Sequence, residues 1–423
     1  MTSKPDHRRA FLKPLVLAGV MALLALLVVA GEGQPAYAAT FTVTKTADTN
    51  DGVCDGDCSL REAIGAANAL AGADTITVPA GTYTLSIAGT GEDANATGDL
   101  DITDDLTING AFTSIVDGGA LDRVFHIFSG TTVTISYLTI QNGSASGGGG
   151  GGIRNDATLT LTNSTVSGNT GGGILNAFGT LTLKYSTVSG NTSAVSAGGG
   201  IHSLGPLTLT NSTVSGNSTG TSGGGIFGGT GSTLTLNNST VSGNTPGGIA
   251  NTGTATLKNT IVANNTGGDC TSGAPTSLGH NLDSDGTCAL SGTGDISSGN
   301  ANLGALALNA PGTTATHALL AGSDAIDAGN PATPGSGGNA CEATDQRGVA
   351  RPQGAFCDIG AFELEVGVGG IAEVLVGGGE APASTGAGAG SSSLLYAALA
   401  GAVAAGAIAI AAAGWYARRR WLR

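Results

Sequence analysis

The sequence predicts an all-β protein built as a parallel β-helix, a solenoid with three short strands per coil. Three observations predict it: a short polar phrase returns at regular intervals, leucines alternate with threonines beside each copy, and the composition is unusual. Of the 423 residues, 74 are glycine and only 4 % are aromatic. Such a chain has too few aromatic side chains for a large compact core, so it suits a repetitive fold.

The repeated phrase sets the length of one coil. NSTVSGN begins at Asn163, Asn211 and Asn238, YSTVSGN begins at Tyr185, and a weaker copy begins at Asn259. The first serines of the four clear copies are separated by 22, 26 and 27 residues. Intervals of this size are typical of solenoid repeats.

Alternation identifies the strands within each unit. Leu159 and Leu161 lie two residues apart, and the same spacing returns at Leu181 and Leu183; period two is typical of a strand with one buried face. Asparagine and glycine at the breaks tolerate the left-handed conformation that a sharp corner needs. Since the backbone groups of one coil find partners only on its neighbours, the coils must stack.

Stacking is expected to bring equivalent asparagines into line. We expect two ladders of side-chain amides that pair along the axis, as in other cross-β stacks. One ladder contains Asn163, Asn211, Asn238 and Asn259, and the other contains Asn169, Asn191, Asn217, Asn244 and Asn264.

The N-terminal end of the stack is predicted to be covered by a helix. The stretch SLREAIGAANAL begins at Ser59 and has Glu62 three residues later, which is the signature of a capping box. Leu60, Ile64 and Ala67 fall on one face of that helix. We therefore expect it to plug the first coil.

Both chain ends predict export and anchoring. Residues 1–39 have the basic start, apolar run and small-residue end of a signal peptide. Residues 394–416 carry no charge and are long enough to cross a bilayer, with a Gly/Ala/Ser linker at 367–393 before them and a basic, cytoplasmic tail at 417–423. The expected location is the extracellular face of the cell membrane or the cell wall.

Sequence features support the extracellular assignment and limit the partners. Without the signal and the tail, 8 basic and 28 acidic residues remain, which gives a net charge near −20 (8 − 28); this disfavours nucleic acid and anionic lipid as partners. Export favours disulfides, and proximity suggests Cys54 with Cys58, Cys270 with Cys288, and Cys341 with Cys357. Free buried thiols are the alternative.

The outward residues beside the leucines form the candidate recognition surface. We expect a neutral lattice of hydroxyls for contact with a glycan, a protein or ice; a threonine is also simply a good strand former on an exposed face. The candidates are Thr134, Thr158, Thr160, Thr180, Thr182, Thr208, Thr233, Thr235, Thr254 and Thr256.

An acidic turn near the N-terminus is a candidate Ca²⁺ site, because crowded hard oxygen ligands suit that ion. Its residues are Asp48, Asn50, Asp51, Asp55 and Asp57. The stretch is not an EF-hand, since its glycine comes one position early and Ser59 stands where a bidentate glutamate is needed. A disulfide-closed turn without metal is the alternative.

Catalytic chemistry finds little support in the repeats, and no catalytic residue is assigned. Polysaccharide cleavage by a lyase or hydrolase needs clustered carboxylates with a base, whereas the stretch 143–268 has a single acid, Asp156. Two sets outside the most regular coils remain candidates: Asp104 and Asp105 with His126, and His280 with Asp283 and Asp285.

Two end motifs carry a resemblance to a bacterial group. CSLREAIGAANA from Cys58 resembles the CSLREA module of exported right-handed β-helix repeat proteins, and the segments AIDAGN and DQRGVARPQGAFCDIGAFE resemble the domain called choice-of-anchor Q. The repeats are also similar to those of chlamydial polymorphic membrane proteins, which are adhesins with an outer-membrane barrel that this sequence lacks. The resemblance implies a right-handed parallel β-helix and an exported location.

The resemblance and the repeats together divide the chain. We expect a CSLREA-type cap and first coils at 40–100, β-helix repeats at 101–310 and a C-terminal cap at 311–366 that closes the last coil. Residues 382–386, PASTG, look like a sortase signal but depart from LPxTG, so membrane anchoring is the first expectation and wall attachment the second.

The leading functional hypothesis is adhesion or recognition, of a glycan or a neighbouring cell surface, by an anchored β-helix. A pectate-lyase-like polysaccharide lyase or a glycoside hydrolase is the alternative, and a passive surface-layer or spacer protein is the third.

Overall fold

A computed structural model describes residues 38–146, 149–194 and 196–365. The predicted signal peptide, except its last two residues, lies outside these ranges, as do the linker, the transmembrane segment, the sortase-like motif and the basic tail. Among the described residues, the α-helix is too short to span a membrane.

The described chain is an all-β solenoid of stacked coils, as the sequence predicts. Parallel pairing joins each coil to the next in two main sheets. The larger sheet comprises Thr40–Thr42, Asp74–Val78, Gly81–Thr84, Leu106–Asp117, Thr132–Gln141, Thr158–Thr162, Thr165–Ser167, Thr180–Lys184, Thr187–Ser189, Pro206–Thr210, Thr213–Ser215, Thr233–Asn237, Thr240–Ser242, Thr254–Lys258, Ile261–Ala263, Thr276–Ser277, Leu282–Asp283 and Ile296–Ser297.

The remaining strands form three smaller sheets. The second sheet comprises Leu100–Ile102, Phe125–Ile127, Ile153–Asn155, Ile174–Asn176, Ile201–Ser203, Ile226–Gly228, Ile249–Asn251 and Cys270–Ser272. Thr192–Ser193 and Ser218–Thr219 form a short third pair on the coils. Leu303–Ala307 and Thr316–Leu319 form an antiparallel pair after the last coil.

Alternation places the apolar side chains inside the solenoid. In the strand Thr158–Thr162, Leu159 and Leu161 are fully buried while Thr158 is exposed. The register pairs Leu159 with Leu181 on the next coil, and these leucines join the valines and isoleucines of the other strands in one continuous core. Stacked columns of like side chains therefore fill the interior.

The helix Leu60–Asn68 covers the first coil as expected. Ser59 accepts from the Glu62 N–H, and the Glu62 carboxylate accepts from the Ser59 N–H, so both halves of the capping box are present. Arg61, which is 1 % exposed, lies 2.8 Å from the Asp48 carboxylate and donates to the backbone carbonyls of Gly98 and Asp99. These bonds compensate the burial of the guanidinium.

One amide ladder runs along the inside of a corner. Each asparagine donates its Nδ2–H to the Oδ1 of the next, at 2.9–3.0 Å. The ladder contains Asn169, Asn191, Asn217, Asn244 and Asn265, and it ends at the carboxylate of Asp269. All five asparagines are buried.

The prediction that Asn264 belongs to this ladder is wrong by one residue. In the last copy of the phrase, ANN replaces SGN, so Asn264 takes the position of Gly168. Both residues have positive φ, 61° and 64°, and Asn264 is exposed. Asn265 occupies the position that Asn169 has in the first copy.

The other predicted ladder, of Asn163, Asn211, Asn238 and Asn259, does not form through its side chains. These four residues have φ between 43° and 48° and make the corner, but their amides bond to the C-terminal segment instead. Asn211 donates to the Thr344 carbonyl, Asn238 accepts from the Glu342 N–H, and Asn259 donates to the Asn339 carbonyl.

The neighbouring serines stack where the corner asparagines do not. The hydroxyls of Ser186, Ser212 and Ser239 each accept from the backbone N–H of the equivalent serine on the preceding coil, at 3.2–3.3 Å. Further along, the Thr260 N–H donates to Asn281, and the Asn281 amide donates to the Asp295 carboxylate. This second ladder also ends at an aspartate.

The C-terminal segment, residues 303–365, lies along the side of the coils. The prediction that residues 311–366 close the last coil is therefore wrong for much of the segment. Gln346 bonds to the hydroxyls of Thr187 and Thr213, and the Ala361 N–H donates to Thr240. The three threonines are buried, because polar groups of the segment satisfy hydroxyls that would otherwise face water. We call this side, formed by the strands 165–167, 187–189, 213–215 and 240–242, the covered face.

Buried ion pairs hold the C-terminal segment together. Arg351 lies 2.8 Å from Glu363, and Arg347 lies 2.8 Å from Asp345. Asp358 accepts from two backbone N–H groups, and its burial, with the nearby charge of Glu363, raises its pKa to about 7. The three predicted disulfides, 54–58, 270–288 and 341–357, are all present.

Asn265→Ala is expected to destabilise the protein by about 2–4 kcal/mol, because it removes a buried donor and acceptor and leaves neighbouring groups unpaired. The shift of the urea midpoint measures this loss. Asn264→Gly is the matched control, since glycine accepts the positive φ of that exposed position. Equal losses of stability in the two variants would contradict the assignment of Asn265 to the ladder.

Stability is expected to fall as pH rises from about 5 to 7, in part because of Asp358. Its pKa is about 7 in the folded protein and about 3.9 in an unfolded chain, so the native state holds a proton that the unfolded state has lost, and a higher pH favours unfolding. Asp358→Asn should flatten this slope in urea titrations at pH 5 and 7. Asp324→Asn, at an exposed site of the same segment, should leave it unchanged; an unaltered slope in Asp358→Asn contradicts the assignment.

Candidate functional site

The outward threonines form a continuous file on the larger sheet. Strand register pairs each one with its equivalent on the next coil, and the file extends beyond the predicted threonines at both ends. Its members are Thr40, Thr75, Thr107, Thr134, Thr160, Thr182, Thr208, Thr235, Thr256 and Thr276. A second file lies two residues before it and contains Thr158, Thr180, Thr233 and Thr254. We call the two files together the threonine face.

The threonines of the threonine face are spaced as a regular lattice. Adjacent strands lie about 4.8 Å apart, and alternate residues along a strand lie about 6.6 Å apart. Thr158, Thr180, Thr233 and Thr254 are exposed, and the predicted members of the central file are half-buried between their neighbours. Among the described residues, Thr254 and Thr233 are the members of the ten predicted threonines that use their hydroxyls in hydrogen bonds within the protein, and one of these bonds joins the two. The other hydroxyls are available to a ligand.

Two exposed apolar side chains border this lattice. Phe178 is 81 % exposed and Leu204 is 41 % exposed. Each lies two residues before a strand of the threonine face, at Thr180 and Pro206. An exposed aromatic ring beside a field of hydroxyls is a surface that suits a sugar ring, with its apolar face and its polar rim.

The predicted Ca²⁺ ligands of the acidic turn do not converge. The Asp48 carboxylate binds Arg61 and the backbone N–H groups of Ser86 and Ile87. Asp51 and Asp55 each accept from a backbone N–H two residues further on. Asp57 pairs with Lys45, and Asn50 donates to the Asn95 carbonyl. The Ca²⁺ prediction for this turn is therefore wrong in its geometry, because each side chain serves a local partner.

The two candidate catalytic sets are not assembled as predicted either. Asp104 and Asp105 accept backbone N–H groups on their own coil and the next, and His126 contacts other acids. His280 Nδ1 lies 3.0 Å from the Ala328 carbonyl, while Asp283 and Asp285 lie beside Asp269.

His126 lies at the centre of a cluster that the sequence interpretation missed. Strand register on the second sheet aligns Asp101, His126 and Arg154 on three successive coils. His126 Nε2 lies 3.2 Å from Asp156 Oδ2, which also accepts from Arg154. His126 Nδ1 lies 3.7 Å from Asp101 Oδ1 and 3.9 Å from Asp93 Oδ1. The signal in the sequence was the register itself, because Asp101, His126 and Arg154 each precede the last residue of an equivalent strand.

Burial controls the titration of this cluster. Desolvation raises the pKa of Asp101 to about 7 and that of Asp99 to about 6. Desolvation also lowers the pKa of His126 below its usual value, against the opposing effect of the Asp156 hydrogen bond. The ring is oriented with Nε2 towards Asp156 and Nδ1 towards Asp93 and Asp101.

A second acidic group, Asp269, Asp283 and Asp285, is saturated by the protein itself. Asp269 accepts from Asn265 on one oxygen and from Ser284 on the other. Asp283 accepts from three backbone N–H groups, and Asp285 accepts from the Asp269 N–H and from Thr287. These acids end the amide ladder and shape the corner after it.

Comparison with known proteins addresses the fold. Residues 122–266 match the family model described as a right handed beta helix region, which identifies the coils as a right-handed parallel β-helix. A solved structure of pectate lyase Pel9A is similar, with a TM-score of 0.41 and 16 % sequence identity, over 78 % of this chain and 97 % of that one. No curated protein matches the chain significantly.

The His126 environment predicts a titration that NMR can follow. In the wild type, the His126 ring should titrate below the usual histidine value because burial disfavours its charged form. Asp156→Asn should lower this pKa further, since it removes the carboxylate that stabilises the imidazolium. His202, whose pKa is also lowered by burial, serves as the internal control and should not respond. A rise in the His126 pKa in Asp156→Asn would contradict the assigned contact.

Proposed function

We propose that this protein is an exported, C-terminally anchored β-helix whose threonine face serves adhesion or recognition, of a glycan or a neighbouring cell surface. The observation that carries the proposal is the difference between two sides of one sheet. On the covered face, Thr187, Thr213 and Thr240 are buried beneath the protein's own C-terminal segment. On the threonine face, equivalent outward threonines keep their hydroxyls for an external partner.

The chemistry of the threonine face favours a neutral, polyhydroxylated ligand. Each hydroxyl offers one donor and two acceptor positions, and the repeat presents them at fixed intervals along the rod. Phe178 and Leu204 add an apolar border. Since the face itself carries few charges, its partner is expected to be selected by hydrogen bonding and shape rather than by charge.

The location belongs to the same proposal. The signal-like segment 1–39, the apolar segment 394–416 and the resemblance to exported CSLREA and choice-of-anchor Q proteins support display outside the cell. Three disulfides support an oxidising compartment.

A polysaccharide lyase or hydrolase is the second candidate. The observation that favours it is the convergence of Asp93, Asp101 and Asp156 around His126. Release of reducing or unsaturated sugar ends, abolished by His126→Ala, would establish this activity. Turnover of that kind would displace recognition as the main function.

The triple variant Thr182→Val, Thr208→Val, Thr235→Val tests the threonine face, because valine keeps the shape and the strand preference but removes the hydroxyl. Three lost hydrogen bonds at about 1 kcal/mol each should weaken binding on the order of 100-fold, measured with the full chain on a carbohydrate array and on whole cells.

The matched control changes the exposed threonines 221, 230 and 266, which lie between strands, to valine, and it should bind as the wild type does. Unchanged binding by the face variant would refute the assigned surface. If neither the array nor the cells retain the wild type, the passive spacer replaces the proposal.

A further inference from the structure

One buried carboxylate oxygen in the His126 cluster lacks a hydrogen-bond partner. Asp101 is 0 % exposed, and its Oδ2 accepts from the Asn95 N–H at 2.9 Å. Its Oδ1 has no such donor among the described residues and faces His126 Nδ1 at 3.7 Å. A buried carboxylate oxygen without a partner is costly, so this atom requires an explanation.

The atoms that face Asp101 Oδ1 are themselves acceptors. In the tautomer whose Nε2–H donates to Asp156, His126 Nδ1 presents a lone pair, and Asp93 Oδ1 completes the group. The three residues offer ligand atoms that lie within 4.8 Å of one another. Two carboxylate oxygens and one imidazole nitrogen that face a common point form a set of ligand atoms for a cation.

The surrounding charge favours a cation at the same point. Six acids lie in or around the cluster, Glu92, Asp93, Asp99, Asp101, Asp122 and Asp156, against the two arginines Arg123 and Arg154. A bound divalent ion would offset part of this excess of acidic groups and give the buried carboxylate of Asp101 a partner.

We propose that Asp93, Asp101 and His126 bind one divalent transition-metal ion of the Zn²⁺ or Mn²⁺ class. Two carboxylate oxygens and one imidazole nitrogen are ligands for such ions. Ligands about 2.1 Å from a tetrahedral ion lie about 3.4 Å from each other, so separations of 3.7 Å and 3.9 Å need only a small closure. Asp93, with a side chain 70 % exposed, supplies the adjustable ligand.

The contact between His126 and Asp156 has the form that metal sites use around their histidine ligands. A carboxylate that accepts from the distal ring nitrogen fixes the tautomer and the ring orientation, and it makes the ligating nitrogen more basic. Arg154 in turn holds Asp156 through Nε at 2.9 Å. The orientation of the imidazole is therefore set before any ion arrives.

Calorimetric titration of the full chain with Zn²⁺ and with Mn²⁺ tests the proposal. One equivalent of at least one of these ions should bind the wild type, with weaker binding of Ca²⁺, which prefers six to eight oxygen ligands. Asp101→Asn and His126→Gln should weaken that binding at least tenfold, and Asp156→Asn should weaken it by about tenfold through loss of the orienting contact.

Two further variants keep the test decisive. Asp93→Asn changes an exposed side chain, so it should weaken binding without disturbing the fold, which circular dichroism can check. His202→Ala is the matched control, because His202 lies on the same outward file two coils beyond Arg154. This variant should bind the ion as the wild type does. Absence of binding, or binding that survives Asp93→Asn and Asp101→Asn, overturns the proposal.

Discussion

Hydrogen bonding between the backbones of successive coils is the constraint on which this structure depends. Apart from Leu106–Asp117 and Thr132–Gln141, the strands of the two main sheets have two to five residues, and they find their partners only on neighbouring coils. Pairing such as Thr158–Thr162 on Thr180–Lys184 proceeds residue by residue, so a side chain at one position meets its equivalent above and below. The leucine core, the amide ladder and the threonine file all follow from this repetition.

The sequence predicted the features that repeat and missed those that do not. Leucines two residues apart were enough to define the strands, and Ser59 with Glu62 was enough to place the helix. Asn264 was assigned to the ladder in place of Asn265, although the copy that begins at Asn259 aligns Asn264 with Gly168 and Asn265 with Asn169. Three of the corner asparagines bond to residues 339–344, which lie 80 or more residues further along the chain. No local sequence pattern contains such a contact. Asp93 joins His126 from a loop outside the repeats, and Asp101 joins it only through register.

The sides of the solenoid differ in what covers them. The threonine face remains open, while the covered face is closed by the C-terminal segment through Gln346 and Ala361. The second sheet changes character along its length: Asp101, His126 and Arg154 occupy its first coils, and Leu175, His202 and Phe227 continue the same outward file. Charge is concentrated near the N-terminal coils, so one scaffold can carry a neutral contact surface and a charged cluster without mutual interference.

The amide ladder gives the stack a polarity. Its side-chain-to-side-chain bonds all run one way, from the amide Nδ2–H of one asparagine to the Oδ1 of the next towards the C-terminal end, while each amide also donates to a backbone carbonyl on the preceding coil. Asp269, where it stops, is a carboxylate that accepts and cannot donate onward, and Asp295 ends the second ladder in the same way. The stack resembles a head-to-tail polymer with a chain-stopping unit at one end. Extra coils inserted before Asp269 could extend the chain of donors, whereas coils added after it would have to begin a new one.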